Sequence, residues 1–400
     1  MTHSRFYPPW CLALPMLLVI AVAGAAAVAQ PRTPTSDSEV LERVPARAKD
    51  PQARALAALR ATWRSNPRDA AAAAALARGC IGAFGSDGDP RHLGCAQAAL
   101  GPWWAEREPP PEHRTLRAIV LQFSHRFDAA LADLDAVLAT HPQAHEAWLW
   151  RAAILLVQAR YAEAREACER LAVLVTPLSA RGCRAQVDSA SGAAAVAAQS
   201  LREGLARETA ASPAERLWAL TRLAEIEERR GAAAAAEAAY REALAIDVQD
   251  VYLQAAYADF LLDQGRPDEV KALLAGRERI DVLLLRLALA NERLRDPIAA
   301  SQRRELAARF DAARRLGDAL HEKEEARFVL AFEGNAPRAL ALARSNFALQ
   351  REPADARVLL EAALAARDKA AAEPALRWLA DSRIEAPRLQ ALAEQLARLP

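Results

Sequence analysis

Ala224 and Ala258 stand 34 residues apart, at matching places in two consecutive amphipathic segments. The surrounding stretch 213–265 reads PAERLWALTRLAEIEERRGAAAAAEAAYREALAIDVQDVYLQAAYADFLLDQG. Two helical patterns meet at Gly231, Asp247 to Asp250 closes the pair, and a third helix begins. A period of this length, with small residues where helices must touch, restricts the chain to an array of stacked helical hairpins.

Composition agrees. A chain of 400 residues is larger than a single core usually grows, whereas an array escapes that limit because each unit buries surface only against its neighbours. Ala, Leu, Arg and Glu dominate and are strong helix formers, and runs of β-branched and aromatic residues of strand type are absent, so the fold class is all-α. With 52 basic and 51 acidic side chains the net charge is +1, which argues against nucleic acid as the ligand. Arg is strongly preferred to Lys, which occurs only at Lys49, Lys271, Lys323 and Lys369. A GC-rich genome accounts for that bias; a surface that recognises carboxylates or phosphates is the alternative.

Residues 1–29 have the layout of a secretory signal: Arg5, an apolar run from Cys11 to Ala26, and a small-x-small site at Ala27-Val28-Ala29. Cleavage is expected between Ala29 and Gln30, giving a periplasmic or secreted protein with no membrane span after cleavage. An uncleaved anchor is the alternative, since Cys11 to Ala29 is long enough to span. Residues 30–50 carry Pro31, Pro34 and Pro45 among Ser and Thr, lack an apolar period, and read as a flexible linker. Residues 51–400 then form the repeat domain. Its hairpins are expected at about 112–140, 144–175, 178–207, 213–246, 250–276, 280–316, 318–351 and 354–382, with a last helix near 386–398. Short loops force consecutive helices antiparallel.

These units resemble the tetratricopeptide repeat family. Trp148, Ala152 and Leu155 occupy its first-helix landmarks, with Arg151 in place of Leu, and Ala164, Cys168 and Leu171 follow on the partner helix. The physical core of the motif is a pair of small residues twelve apart at the helix crossing. Ala118 and Ala130, Ala152 and Ala164, Ala224 and Ala236, and Ala363 and Ala375 are such pairs, and Val329 with Ala341 nearly is. No unit has the Leu-Gly doublet, and the units near 178–207 and 280–316 lose the spacing. The resemblance implies a right-handed α-solenoid of about nine antiparallel helix hairpins. It also implies that first helices line a concave groove that binds a peptide or protein segment. The residues implied to face it are Glu146, Leu149, Ala153 and Leu156, then Trp218, Thr221, Glu225 and Glu228, then Tyr252, Ala255, Asp259 and Leu262. Such a groove is apolar at its N-terminal part and acidic in the middle, which suits a partner with an apolar anchor and basic residues. The Lys and Asn set by which chaperone-tail-binding members hold a terminal carboxylate is missing from these places.

Four cysteines follow the expected cleavage site, an even number. Cys80 and Cys95 are 15 apart, as are Cys168 and Cys183, and each pair falls on neighbouring antiparallel helices. Two disulfides, Cys80–Cys95 and Cys168–Cys183, are expected; four buried thiols are the alternative. Of the adjacent indoles Trp103 and Trp104, one is expected inward and the other partly exposed, unless both are buried at the hairpin junction. His141 and His145 are kept off one helix turn by Pro142, so no metal is expected, and no phosphate-cradling glycine loop or nucleophile elbow occurs. No cofactor is implied. The function expected is a non-enzymatic scaffold for protein–protein interaction in the cell envelope. The alternatives are a relative of the helical superhelix of peptidoglycan-cleaving enzymes, or a subunit of an envelope export or polysaccharide-secretion assembly.

Overall fold

The computed structural model describes residues 51–315 and 322–399, together with Ser36 and Ser38. The expected signal, 1–29, and all of the expected linker 30–50 except those two serines lie outside the described residues. Twenty-one α-helices and no strand occur among the described residues. None of these helices is long and apolar enough to cross a membrane.

The helices pair in chain order. Pro51–Ser65 (α1) packs on Ala70–Asp87 (α2), which packs on Arg91–Ala99 (α3); a short turn, Gly101–Trp104 (α4), follows. The regular hairpins are Pro111–Phe123 with Phe127–Thr140 (α5, α6), His145–Val157 with Tyr161–Leu171 (α7, α8), and Pro177–Ala190 with Ala194–Arg207 (α9, α10). Then come Pro213–Arg229 with Ala233–Ile246 (α11, α12), Val251–Asp263 with Pro267–Leu273 (α13, α14), and Asp281–Arg293 with Ala299–Arg315 (α15, α16). Glu322–Phe328 (α17) runs on through a π-helical stretch, Val329–Glu333, and pairs with Ala336–Leu349 (α18). Pro353–Ala366 (α19), Glu373–Ser382 (α20) and Pro387–Ala397 (α21) end the array.

One turn chemistry recurs within the hairpins. A residue in the left-handed region ends the first helix, and the next amide bonds to the carbonyl five residues back. Arg126 N donates to Leu121 O, Arg160 N to Leu155 O, Ala232 N to Glu227 O and Arg266 N to Leu261 O, at 2.8–2.9 Å. The left-handed residues are His125, Ala159, Gly192, Gly231, Gly265, Arg295 and Gly334. Their numbers set the true register. The steps 125 to 159 and 231 to 265 are each 34 residues, and 159 to 192 is 33. The steps 192 to 231, 265 to 295 and 295 to 334 are 39, 30 and 39. The units near 178–207 and 280–316 are therefore hairpins like the others, separated by connections of different length.

The expected small-residue pairs sit at the helix crossings: Ala118 with Ala130, Ala152 with Ala164, Ala224 with Ala236 and Ala363 with Ala375 are all buried. The pair Val329–Ala341 is corrected, because Ala341 is exposed. Ala326 and Ala339, both buried and thirteen apart, hold that crossing. The π-helical stretch between them absorbs one residue beyond the usual twelve, which no helical period could reveal. The spaces between hairpins are filled by Leu134, Tyr240 and Leu274, all buried, and by the half-buried Leu379.

Cys80 and Cys95 join α2 to α3 at an S–S distance of 2.03 Å, and Cys168 and Cys183 join α8 to α9 at 1.96 Å. Trp103 and Trp104 are both half-buried. The ring of Trp103 lies 4.4 Å from that of His113, and Arg117 bonds to both tryptophan carbonyls and to Asp133.

The array curls far enough for its last hairpins to meet its earlier ones. Arg351 N donates to Val157 O at 2.8 Å, Ala194 N to Glu385 Oε1 at 3.1 Å, and Trp378 Nε1 to Tyr161 Oη at 2.9 Å. The stretch from Arg351 to Glu385 therefore meets the end of α7 and the starts of α8 and α10.

Candidate functional site

Each first helix turns one stripe of side chains inward, because every fourth residue shares a face. On α11 and α13 that stripe carries Arg222, Glu225, Glu228, Tyr252, Asp259 and Asp263, and these line a cavity of about 520 Å³. The far wall is supplied by Lys323 of α17, by the start of α19 and by the start of α21.

The acidic groups here are held by arginines of the same chain. Asp259 takes two bonds from Arg327, at 2.7 and 3.1 Å, and one from Arg286 at 2.6 Å. Asp263 takes two from Arg357, at 2.7 and 2.9 Å, and pairs with Arg388. Arg286 comes from the neighbouring hairpin, but Arg327, Arg357 and Arg388 come from successive first helices late in the chain. The guanidinium groups hold the Asp259 carboxyl well below the usual carboxylate range against the cost of burial. Glu225 pairs with Arg222 at 2.9 Å and accepts from Tyr252 Oη at 2.5 Å, while the Arg222 guanidinium lies 4.4 Å over the Tyr252 ring. Glu228 is held by a hydroxyl. It accepts from Tyr240 Oη at 2.7 Å, and burial pushes its carboxyl up to about 7.

The residues expected in the groove divide. Leu156, Glu225, Glu228, Tyr252 and Asp259 line the cavity together. On α7, Glu146 is tied to Arg78 at 2.8 Å, Leu149 is 41% exposed, and Ala153 is half-buried. The other four do not line the cavity. Thr221 is buried and donates to Leu217 O at 2.8 Å, and Leu262 is buried in the core. Ala255 is half-buried, and its carbonyl accepts from Arg286 at 3.2 Å. Trp218 packs flat over Gly182, where an added Cβ would meet its ring at 2.0 Å.

Sequence reasoning missed Tyr161, Arg229, Lys323, Arg351, Arg357 and Arg388, which complete the lining. For the four arginines the only signal was the preference for Arg, which fits both a genomic bias and recognition of carboxylates. Here much of the recognition is of the chain's own carboxylates. Among the described residues no group of three or more His, Cys, Asp or Glu is placed to hold a metal ion.

Residues 115–177, covering α5 through α8, match the family described as Tetratricopeptide repeat. No curated protein matches the sequence. Among solved structures the chain is similar to a tetratricopeptide repeat protein from Parabacteroides merdae, at 13% identity over 72% of this chain and 98% of that one, with a TM-score of 0.35. It is similar to the human IFIT1 dimer with PPP-AAAA, at 14% identity over 87% and 86%, with a TM-score of 0.45. It is also similar to the APC/C hetero-tetramer Cut9-Hcn1, at 14% identity over 86% and 80%, with a TM-score of 0.40. Scores of this size bear on no functional question. The match over residues 115–177 is to the tetratricopeptide repeat family, and the hairpin turns and small-residue crossings inside and outside that stretch follow the same helical-hairpin plan.

Proposed function

We propose that this protein is a non-enzymatic scaffold that binds a protein or peptide segment along the inner side of its first helices, outside the cytoplasm. The observation that carries the reading is the cavity on that side, lined by first-helix residues from several hairpins. Asp259, Asp263 and Glu225 are each engaged by arginines, which supports a recognition surface over a pair of free acid–base groups. Two cysteine pairs at bonding distance support an oxidising compartment, and with it the signal at 1–29 and cleavage before Gln30.

A basic partner side chain meets Asp259 only by displacing Arg286 or Arg327, and Glu225 only by displacing Arg222. The part of the inner face open to a partner is therefore the apolar reach of Leu149, Ala153 and Leu156, with Tyr252 at its far side. Tyr252 is 52% exposed, large and rigid, and suits the role of a contact residue.

The test is photocrosslinking in intact cells, with the reactive group placed at Leu149, at Tyr252, and at Val196, which lies on a second helix and is 66% exposed. Mass spectrometry should find a partner linked from the first two positions and not from the third, and Leu149→Arg should abolish its capture. Equal yields from all three positions would sink the reading.

A further inference from the structure

The late helices are joined to the earlier hairpins across a seam of charges and hydrogen bonds. Asp263 on α13 accepts from Arg357 of α19 at 2.7 and 2.9 Å and pairs with Arg388 of α21, and Asp259 accepts from Arg327 of α17. Around these pairs, Arg351 N donates to Val157 O, Ala194 N to Glu385 Oε1 and Trp378 Nε1 to Tyr161 Oη, and Gln350 Nε2 lies 3.2 Å from His125 Nε2. Arg327 and Arg357 are partly exposed and Arg388 is half exposed, so dissolved ions reach the charged part of the seam.

The apolar cores scarcely cross this seam. Leu283, Leu287 and Ala290 of α15 belong to a cluster that runs back to α9, whereas Leu284, Leu285 and Ala288 of the same helix belong to a second cluster that runs on to α21. Among the described residues, the clusters of the earlier hairpins take no side chain from α17–α21, and the half-buried Ala159 is what those hairpins lend to the late cluster. The seam is also hollow. It encloses the cavity of about 520 Å³, with Ile226 and Ala256 on one side and Pro353, Pro387 and Leu389 on the other. A permanent interface packs to the density of a core, while one that is polar and unfilled permits its two sides to part.

We propose that α17–α21 form a cover, latched by charge on Asp259 and Asp263, that opens reversibly and in its closed form shuts the inner face of α11 and α13 to a partner. Asp263 is the main catch, because both of its arginines lie on the cover, whereas Asp259 keeps Arg286 of α15 when Arg327 leaves. Leu156 lines the cavity, so opening extends the apolar reach of Leu149, Ala153 and Leu156 toward Ile226 and Ala256. The inference rests on the scaffold reading for what is shut out, and on the seam alone for the motion.

The test is hydrogen exchange on the purified chain in sodium chloride at about 0.1 M and about 1 M, between which the screening length falls from about 10 Å to about 3 Å. It is read at Ala194 and Arg351, whose amides bond across the seam. Exchange at both should rise roughly tenfold or more with salt and fall back on dilution. Arg126 and Arg160, whose amides bond within their own hairpins, should stay unchanged. Helical content by circular dichroism should hold constant while the radius of gyration grows, which separates opening from unfolding. Arg357→Met, which keeps most of the side-chain stem, should bring the low-salt chain close to the high-salt exchange. Exchange at Ala194 and Arg351 that neither salt nor Arg357→Met moves would overturn the inference, as would a rise accompanied by loss of helix or by an equal rise at Arg126 and Arg160. No partner takes part in this measurement, so its failure leaves crosslinks from Leu149 and Tyr252 standing, and failure of those crosslinks leaves the motion standing.

Discussion

Asp263 ties two late helices to the middle of the array, so Asp263→Ala tests whether the closed form rests on those ties. Its side chain is 10% exposed and accepts two short bonds from Arg357 on α19, besides the pair with Arg388 on α21. Breaking a buried pair by removing one partner costs about 3–5 kcal/mol. Two features lower that figure. Arg357 keeps Glu361 at 2.8 Å, and Arg388 is half exposed, so its share is that of a surface pair, below about 1 kcal/mol. About 3 kcal/mol remains. The loss belongs to the docking of α19–α21 on α13 and not to the stacking of the early hairpins. Hydrogen exchange should therefore show amides of 353–397 opening on the order of a hundredfold more often, with 111–171 unchanged. Small-angle scattering should show a larger radius of gyration. Arg357→Met should reproduce most of the effect and Arg388→Met little of it. Unchanged exchange in α19 and α21, with unchanged scattering, would refute the argument that these ion pairs hold the array closed.

Gly182→Ala gains helix propensity of about 1 kcal/mol but forces a methyl into the Trp218 ring, so a net loss of roughly 1–2 kcal/mol is expected by urea denaturation. Glu228 titrates near 7 in the folded chain and near 4.5 when unfolded, so the native state binds the proton more tightly. Stability should therefore fall as pH rises from 4.5 to 7, by up to roughly 3 kcal/mol, and Glu228→Gln should flatten that slope in melts across the range. Each cysteine pair closes a loop of 15 residues, worth about 3 kcal/mol in the chain-entropy view. Peptide mapping without reductant should recover Cys80 linked to Cys95 and Cys168 linked to Cys183, and Cys168→Ala with Cys183→Ala should lower stability by about that amount.

Much of the architecture was legible because it is local. Helical spacing, Pro and Gly punctuation, and small residues at crossings act within one hairpin or between neighbours, so α5 to α14 follow from the pattern. Where local rules have several solutions, the pattern failed. Ala159 and His125 take the same left-handed turn as Gly231 and Gly265, yet nothing in their side chains announces it. The π-helical stretch moved the crossing from Val329 and Ala341 to Ala326 and Ala339. Gly182 was a readable hint, since a glycine in mid-helix often marks a close approach, but its partner Trp218 was not readable.

The amino-acid sequence by itself determined that the chain is helical, that its helices pair as hairpins, which cysteines face each other, and that acids line the first helices of the middle units. The tertiary structure alone decided what those acids meet. A small rotation per hairpin, summed over the array, sets which distant helices come together, and no residue encodes that sum. Asp259 and Arg327 are 68 residues apart, and Tyr161 and Trp378 are 217 apart. Curvature brings them into contact and fills the groove from its far side.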